Sequence, residues 1–205
     1  MTHSLHRRGT KENLSKDYVL LCLPAMGHND KDHDPKLQEF LKICHKYNPL
    51  NIGAIQLGNM YSHKAEEVIK AAHGIVHAVY DNPGTVTNVL KDLKKADIGM
   101  SIVVSGIFEN VDQALAAAGL KHHTANFSLG IWGKTEKLAS NEILEITTMC
   151  GHALIPSNLV KMLINEVKAG RKTAEAAGKQ LAPNCACGIF NPARAGELIA
   201  AAAKK

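Results

Sequence analysis

An α/β architecture is predicted for this chain: a mainly parallel sheet flanked by helices, with a helical C-terminal cap or small subdomain. Two patterns lead to it. Between residues 18 and 131, short apolar and β-branched runs alternate with segments of helical period, as expected for strands joined by crossover helices. After Gly133 the strand-like runs give way to helical candidates. With 205 residues of which 45% are hydrophobic, the chain can bury its own core without a disulfide or metal staple.

The first strand is predicted at 18–23, an apolar run halted by Pro24. Asp34-Pro35 marks a helix start, Leu37, Phe40, Leu41 and Cys44 recur on one helical face, and Asn48-Pro49 ends it. The alternation continues with a strand at 51–56, a helix at 62–72, a strand at 75–80 and a helix at 84–95. In that last helix Val86, Val89, Leu90 and Leu93 form the apolar side, opposite Lys91, Asp92, Lys94 and Lys95. A strand at 100–104, a helix at 111–118 and a strand at 126–131 complete the series. Strands separated by helices imply parallel neighbours joined by right-handed crossovers. Residues 141–146 read as strand or helix, whereas 155–167, 174–181 and 193–203 read as helices. Asn191-Pro192 suits an N-cap followed by Pro at the first helical position. The expected division is a polar N-terminal arm at 1–17, an α/β core at 18–133 and a cysteine-containing, mainly helical cap at 134–205.

Composition narrows the function classes. No apolar stretch approaches the roughly 20 residues needed to cross a bilayer, and residues 1–17 lack the apolar run of a signal peptide. A cytoplasmic location and no membrane partner are therefore expected. The formal net charge of +5 is modest and its cations are dispersed, apart from His6-Arg7-Arg8 and Lys204-Lys205. With four Tyr, four Phe and one Trp, there is no aromatic platform for stacking bases, so nucleic acid is an unlikely partner. A small anionic or metal-coordinating substrate fits better. The alanine-rich 193–203 segment also suits close packing in a homo-oligomer.

The five cysteines divide into two classes. Cys22 and Cys44 fall on apolar faces and read as buried structural thiols. Cys150 lies in Thr147-Thr148-Met149-Cys150-Gly151-His152, and Cys185 and Cys187 in Asn184-Cys185-Ala186-Cys187-Gly188. Thiolates and imidazole are ligands of zinc and of iron–sulfur centres. If an intervening helical hairpin returns the second segment to the first, Cys150, Cys185 and Cys187 share one site with His152 as a further metal ligand. The leading expectation is a metal-centre-dependent enzyme beside an α/β cleft, an iron–sulfur lyase, dehydratase or sulfur-removing enzyme. Its cofactor would be an iron–sulfur cluster of the 4Fe-4S type with one open iron, and His28 or His152 would transfer a proton. One alternative is a zinc-stabilised ligand-binding or interaction module. The other is a metal-free transferase or hydrolase with Cys150 as nucleophile, its thiol acidified near a helix N-terminus.

Several other polar groups stand out. His28, Asp30, Asp32, His33 and Asp34 form a dense histidine-acidic loop with hard-metal donors, read as a solvated surface loop. Lys121-His122-His123 is read in the same way. His3, His6, Arg7 and Arg8 could serve an anionic ligand or belong to an arm that orders against a partner. No Gly-x-Gly-x-x-Gly, Walker A or Gly-x-Ser-x-Gly sequence is present.

Overall fold

The computed structural model describes residues 4–205; His3 lies outside the described residues. The elements run α1 (Lys11–Leu14), β1 (Tyr18–Leu23), α2 (Asp34–His45), β2 (Asn51–Ala54), β3 (Gly58–Asn59), α3 (Ala65–Lys70), β4 (Val76–Tyr80), α4 (Pro83–Ala96), β5 (Ser101–Ser105) and α5 (Phe108–Ala117). The chain then continues through α6 (Asn141–Thr147), α7 (Ser157–Lys168), α8 (Ala174–Leu181) and α9 (Pro192–Ala203). Local chemistry sets several of the boundaries. Asn82, Thr173 and Asn191 each accept a backbone N–H at a helix start, satisfying one of the donors a first turn leaves over. Asp97, at φ 43°, closes α4 in the left-handed region, where Asp is tolerated.

The sheet order is β3-β2-β4-β1-β5, and every neighbouring pair is antiparallel. This corrects the mainly parallel sheet expected above. β1 and β2 do point the same way, since both oppose β4, but β4 lies between them. β4 and β5 likewise share a direction with β1 between them. The connections through α2 and α4 each skip one strand position, the split βαβ arrangement. Strand–helix alternation reports strand direction and is silent on adjacency.

Helices cover both faces, so the central strands lack the apolar–polar alternation that usually marks an antiparallel sheet. Tyr18, Leu20 and Cys22 of β1 join Ala78 and Tyr80 of β4 in one core with Leu37, Phe40, Leu41 and Cys44 of α2 and Val86, Val89, Leu90 and Leu93 of α4. Cys22 and Cys44 are fully buried there. Val19, Leu21 and Val79 face the opposite way. They pack with Ile143 and Ile146, Val160 and Leu163, Ala177 and Leu181, and Ala195 and Ile199 of the four C-terminal helices. The C-terminal third is thus a helical cap on the second face of the sheet. Residues 141–146 belong to a helix, α6. No strand forms over 126–131, where Phe127, Leu129, Ile131 and Trp132 are exposed; their alternation has no paired neighbour to convert it into a ladder.

The N-terminal segment is bound into this cap. Arg194 of α9, 1% exposed, donates Nη1 to Asp17 Oδ2 at 3.0 Å and Nη2 to the Arg8 carbonyl at 2.6 Å. Asp17 also pairs with Arg7. Arg7 in turn donates to the carbonyls of Ile189 at 2.7 Å and Met149 at 3.4 Å. Two buried guanidiniums thus share one buried carboxylate, and the chain start is fastened to both cysteine-bearing segments.

Candidate metal site

The end of the sheet where β1 stops and β4 starts carries the group best suited to hold a metal ion. Cys22 and Val76 are register partners, so the loop leaving β1 and the turn entering β4 emerge side by side. The first loop ends in His33 and Asp34, which open α2. The second contains His73 and Gly74, and Gly74, at φ 66°, allows the tight reversal into β4. His33, Asp34 and His73 each offer one ligand atom, all within 4.8 Å of one another.

Asp34 Oδ1 lies 2.7 Å from His73 Nδ1 and 3.3 Å from His33 Nε2. Ligands held about 2.0–2.2 Å from a common ion sit roughly 3 Å from each other, so these separations suit a shared cation. The tautomer of His33 suits it as well. Its Nδ1 is 2.7 Å from the Asp30 carbonyl, which can only accept, so Nδ1 carries the proton and a neutral ring presents its lone pair at Nε2. The Gly74 N–H points at that same Nε2 from 3.4 Å, as it would toward an acceptor. A ring N–H held by a backbone carbonyl is the usual support of a metal-binding histidine. The His33 side chain is 13% exposed and those of Asp34 and His73 are 49% and 45% exposed, so the group is anchored on one side and open to solvent on the other.

The expected three-cysteine metal centre is corrected by this geometry. Cys185 Sγ and Cys187 Sγ are 3.6 Å apart, and Cys150 hydrogen-bonds to Cys185. The thiols form a chain, and among the described residues only His33, Asp34 and His73 bring three donor atoms within mutual reach of one ion. The hydrogen bond with Cys185 together with burial pushes the Cys150 thiol up. Cys185 is raised as well: the bond with Cys150 lowers it, but the contact with Cys187 and burial together outweigh that. Neither the iron–sulfur cluster nor the zinc site is supported, and the lyase reading that depended on an open iron goes with them. Cys150 follows the C-terminal end of α6, so no helix N-terminus acidifies it as a nucleophile. His152 is exposed, and its backbone N–H is what reaches the Cys150 sulfur.

His28 is exposed in the turn after β1, where its N–H meets the Ala25 carbonyl; it stands outside the triad but on the same loop. Lys121, His122 and His123 are exposed, with His122 paired to Asp112 at 3.0 Å. Part of the metal group was visible as the histidine-acidic loop, although that loop was assigned to plain surface. His73 carried no local signal, because its relation to residue 34 is made only by the pairing of β1 with β4.

A cavity of about 800 Å³ runs along the outer edge of β5 between that strand, α4, α5 and residues 120–128. None of the triad residues lines it, although Leu23, Pro24 and Ala25 at the root of the triad loop do. Asn29 ties the same loop to the cavity rim by donating to the Gly99 carbonyl at 2.9 Å. No helix among the described residues is long and apolar enough to cross a membrane. Comparison with protein-family models, curated proteins and solved structures returns no match.

Proposed function

We propose that the protein is a mononuclear metal-dependent enzyme whose ion is held by His33, Asp34 and His73. The observation that carries this reading is the His33 ring, whose Nδ1 proton is committed to the Asp30 carbonyl while Nε2 faces Asp34 Oδ1 at 3.3 Å. Two imidazoles and one carboxylate suit a divalent first-row transition ion and leave coordination positions open. Such an ion supplies Lewis acidity toward a bound oxygen or water. The protein's part is to fix the donor atoms, with Asp34 contributing the negative charge and the Asp30 carbonyl orienting His33. His28, on the same exposed loop, is assigned proton transfer. The exposed side of the triad fits a small substrate that itself coordinates metal.

Titration of the metal-stripped protein with cobalt(II) tests this reading through the visible spectrum. One equivalent is expected to bind with nitrogen–oxygen ligation. His33→Ala, Asp34→Ala or His73→Ala should each weaken binding by about 100-fold, and loss of the orienting contact to His33 by about 10-fold or more. A Cys150→Ser/Cys185→Ser/Cys187→Ser protein that stays folded should bind with unchanged affinity. Binding that survives all three triad substitutions, or a sulfur-to-cobalt charge-transfer band, would overturn the assignment.

A further inference from the structure

The three later cysteines, although they do not form a metal centre, are arranged for a different chemistry. Cys150 is hydrogen-bonded to Cys185, and the Cys185 and Cys187 sulfurs lie 3.6 Å apart, within hydrogen-bond reach. Cys187 ends this row of sulfurs, and its sulfur also receives the Ile189 N–H and its own N–H. Cys150 and Cys185 are enclosed, at 2% and 0% exposure, whereas Cys187 is only partly buried. The turn that carries the pair is braced from several sides. Gly188 N–H meets the Cys185 carbonyl at 2.8 Å, the buried Asn51 donates to the Gly188 carbonyl at 2.7 Å, and Asn59 donates to the Ala186 carbonyl at 3.2 Å. Gly188 has φ 78°, and a Cβ there would lie 2.5 Å from Asn51 Nδ2, so the turn depends on glycine. Hydrogen bonds directed at the sulfur hold Cys187 down at about 7, which makes it the reactive member of the three.

We propose that Cys187 is a hydroperoxide-reactive thiolate and Cys185 its resolving thiol, the two cycling between a dithiol and a Cys185–Cys187 disulfide. In the first step the Cys187 sulfur attacks the distal oxygen of the hydroperoxide. The O–O bond breaks, the leaving oxygen takes up a proton as alcohol or water, and Cys187 becomes a sulfenic acid. In the second step the Cys185 sulfur attacks the Cys187 sulfur, and hydroxide leaves with the Cys185 proton as water. Two thiols lose two protons and two electrons, and one hydroperoxide is reduced by the same two electrons. A dithiol reductant restores the pair by exchange. The sulfurs must close by about 1.5 Å to reach bonding distance, a shift internal to one turn. Cys150 contacts Cys185 and is itself buried. This chemistry is independent of the metal triad, and its test needs no metal.

The experiment treats the full-length, metal-stripped, reduced protein with one equivalent of hydrogen peroxide, followed by thiol blocking, intact mass measurement and peptide mapping. The expected product is about 2 Da lighter, has two fewer blockable thiols and carries the link within one Cys185–Cys187 peptide. Cys187→Ser should slow peroxide consumption by about 10-fold or more. Cys185→Ser should stop at a sulfenic acid on Cys187, about 16 Da heavier than the untreated variant before dimedone is added and convertible by dimedone to a stable adduct on that residue. Cys150→Ser should still form the disulfide. Should the Cys185 variant misfold, the wild-type map and the Cys187→Ser rate decide between the outcomes. A Cys150–Cys185 link, labelling spread over all five cysteines, or equal rates for wild type and Cys187→Ser would each overturn the proposal.

Discussion

His33 and Cys187 show how a single proton position separates a reactive side chain from an inert one. In His33 a carbonyl acceptor fixes the ring N–H and frees the opposite nitrogen. In Cys187 converging donors favour the thiolate, whereas burial keeps Cys22 and Cys44 protonated, Cys22 pushed up to about 12. The groups acting on Cys187 are the Cys185 thiol, the Ile189 N–H and its own N–H, which favour the thiolate, and burial and Cys150, which oppose it. Alkylation of Cys187 by iodoacetamide should therefore rise through about pH 7 and level off above it, with Cys22 and Cys44 silent over that range. The folded-state value lies below the ordinary thiol value of 9.0, so the stabilisation it contributes is complete above about pH 9 and is lost as pH falls through about 7. A quantitative labelling profile by mass spectrometry checks the ordering. At Asp17 the consequence is structural. Asp17→Ala would leave Arg7 and Arg194 buried without their shared carboxylate, at a cost of about 3–5 kcal/mol, to be read from urea unfolding.

At the scale of elements, the α8–α9 contact is set by two glycines. A Cβ on Gly178 would stand 2.3 Å from the Pro192 carbonyl oxygen and 2.8 Å from Gly196 N, backbone atoms that cannot step aside alone. Gly178→Ala should therefore destabilise by about 1–3 kcal/mol, lowering the melting temperature by roughly 2–4 °C for each kcal/mol in a chain of this size. In the α9 segment whose alanines suggested oligomer packing, Ala195, Gly196 and Ile199 are buried against the rest of the cap, whereas Ala193 and Ala201 are exposed. Gly53 of β2 plays a similar part beneath His77, whose ring carbon would meet a Cβ at 2.1 Å. The longer helices were legible because each carries its own periodic apolar face, as in α4 with Val86, Val89, Leu90 and Leu93. The 126–131 segment has the alternation of a strand and no hydrogen-bonded neighbour, so its pattern alone misled.

For the molecule as a whole, the two cores lean on one sheet, and the second exists only if residues after 140 return to cover it. A fragment of residues 1–133 would expose Val19, Leu21 and Val79 and would remove Arg194 from Asp17. It is expected to be expanded or aggregated, with no cooperative thermal transition by circular dichroism. A soluble fragment with a sharp transition would show that the first core suffices. Metal binding belongs to the opposite consideration. The triad is built from the β1–α2 loop and the turn before β4, so cobalt(II) binding should raise the melting temperature of the full chain and not that of a His73→Ala variant.

Sequence alone determined the local elements: β1 at Tyr18–Leu23, the α2 and α4 faces, the cap at Asn191, and the burial of Cys22 and Cys44. It also singled out the loop containing His33 and Asp34. These features follow from period, capping and side-chain polarity within a few residues of each other. Tertiary structure alone decided that β4 lies between β1 and β2, that the cap closes the second face, and that His73 meets Asp34 across 39 positions. It decided as well that three cysteines with attractive spacing line up as a relay of donors and acceptors. Strand adjacency and ligand convergence depend on contacts between distant segments, whose geometry is set by the packing of both faces of the sheet and is not encoded in the period of any one segment.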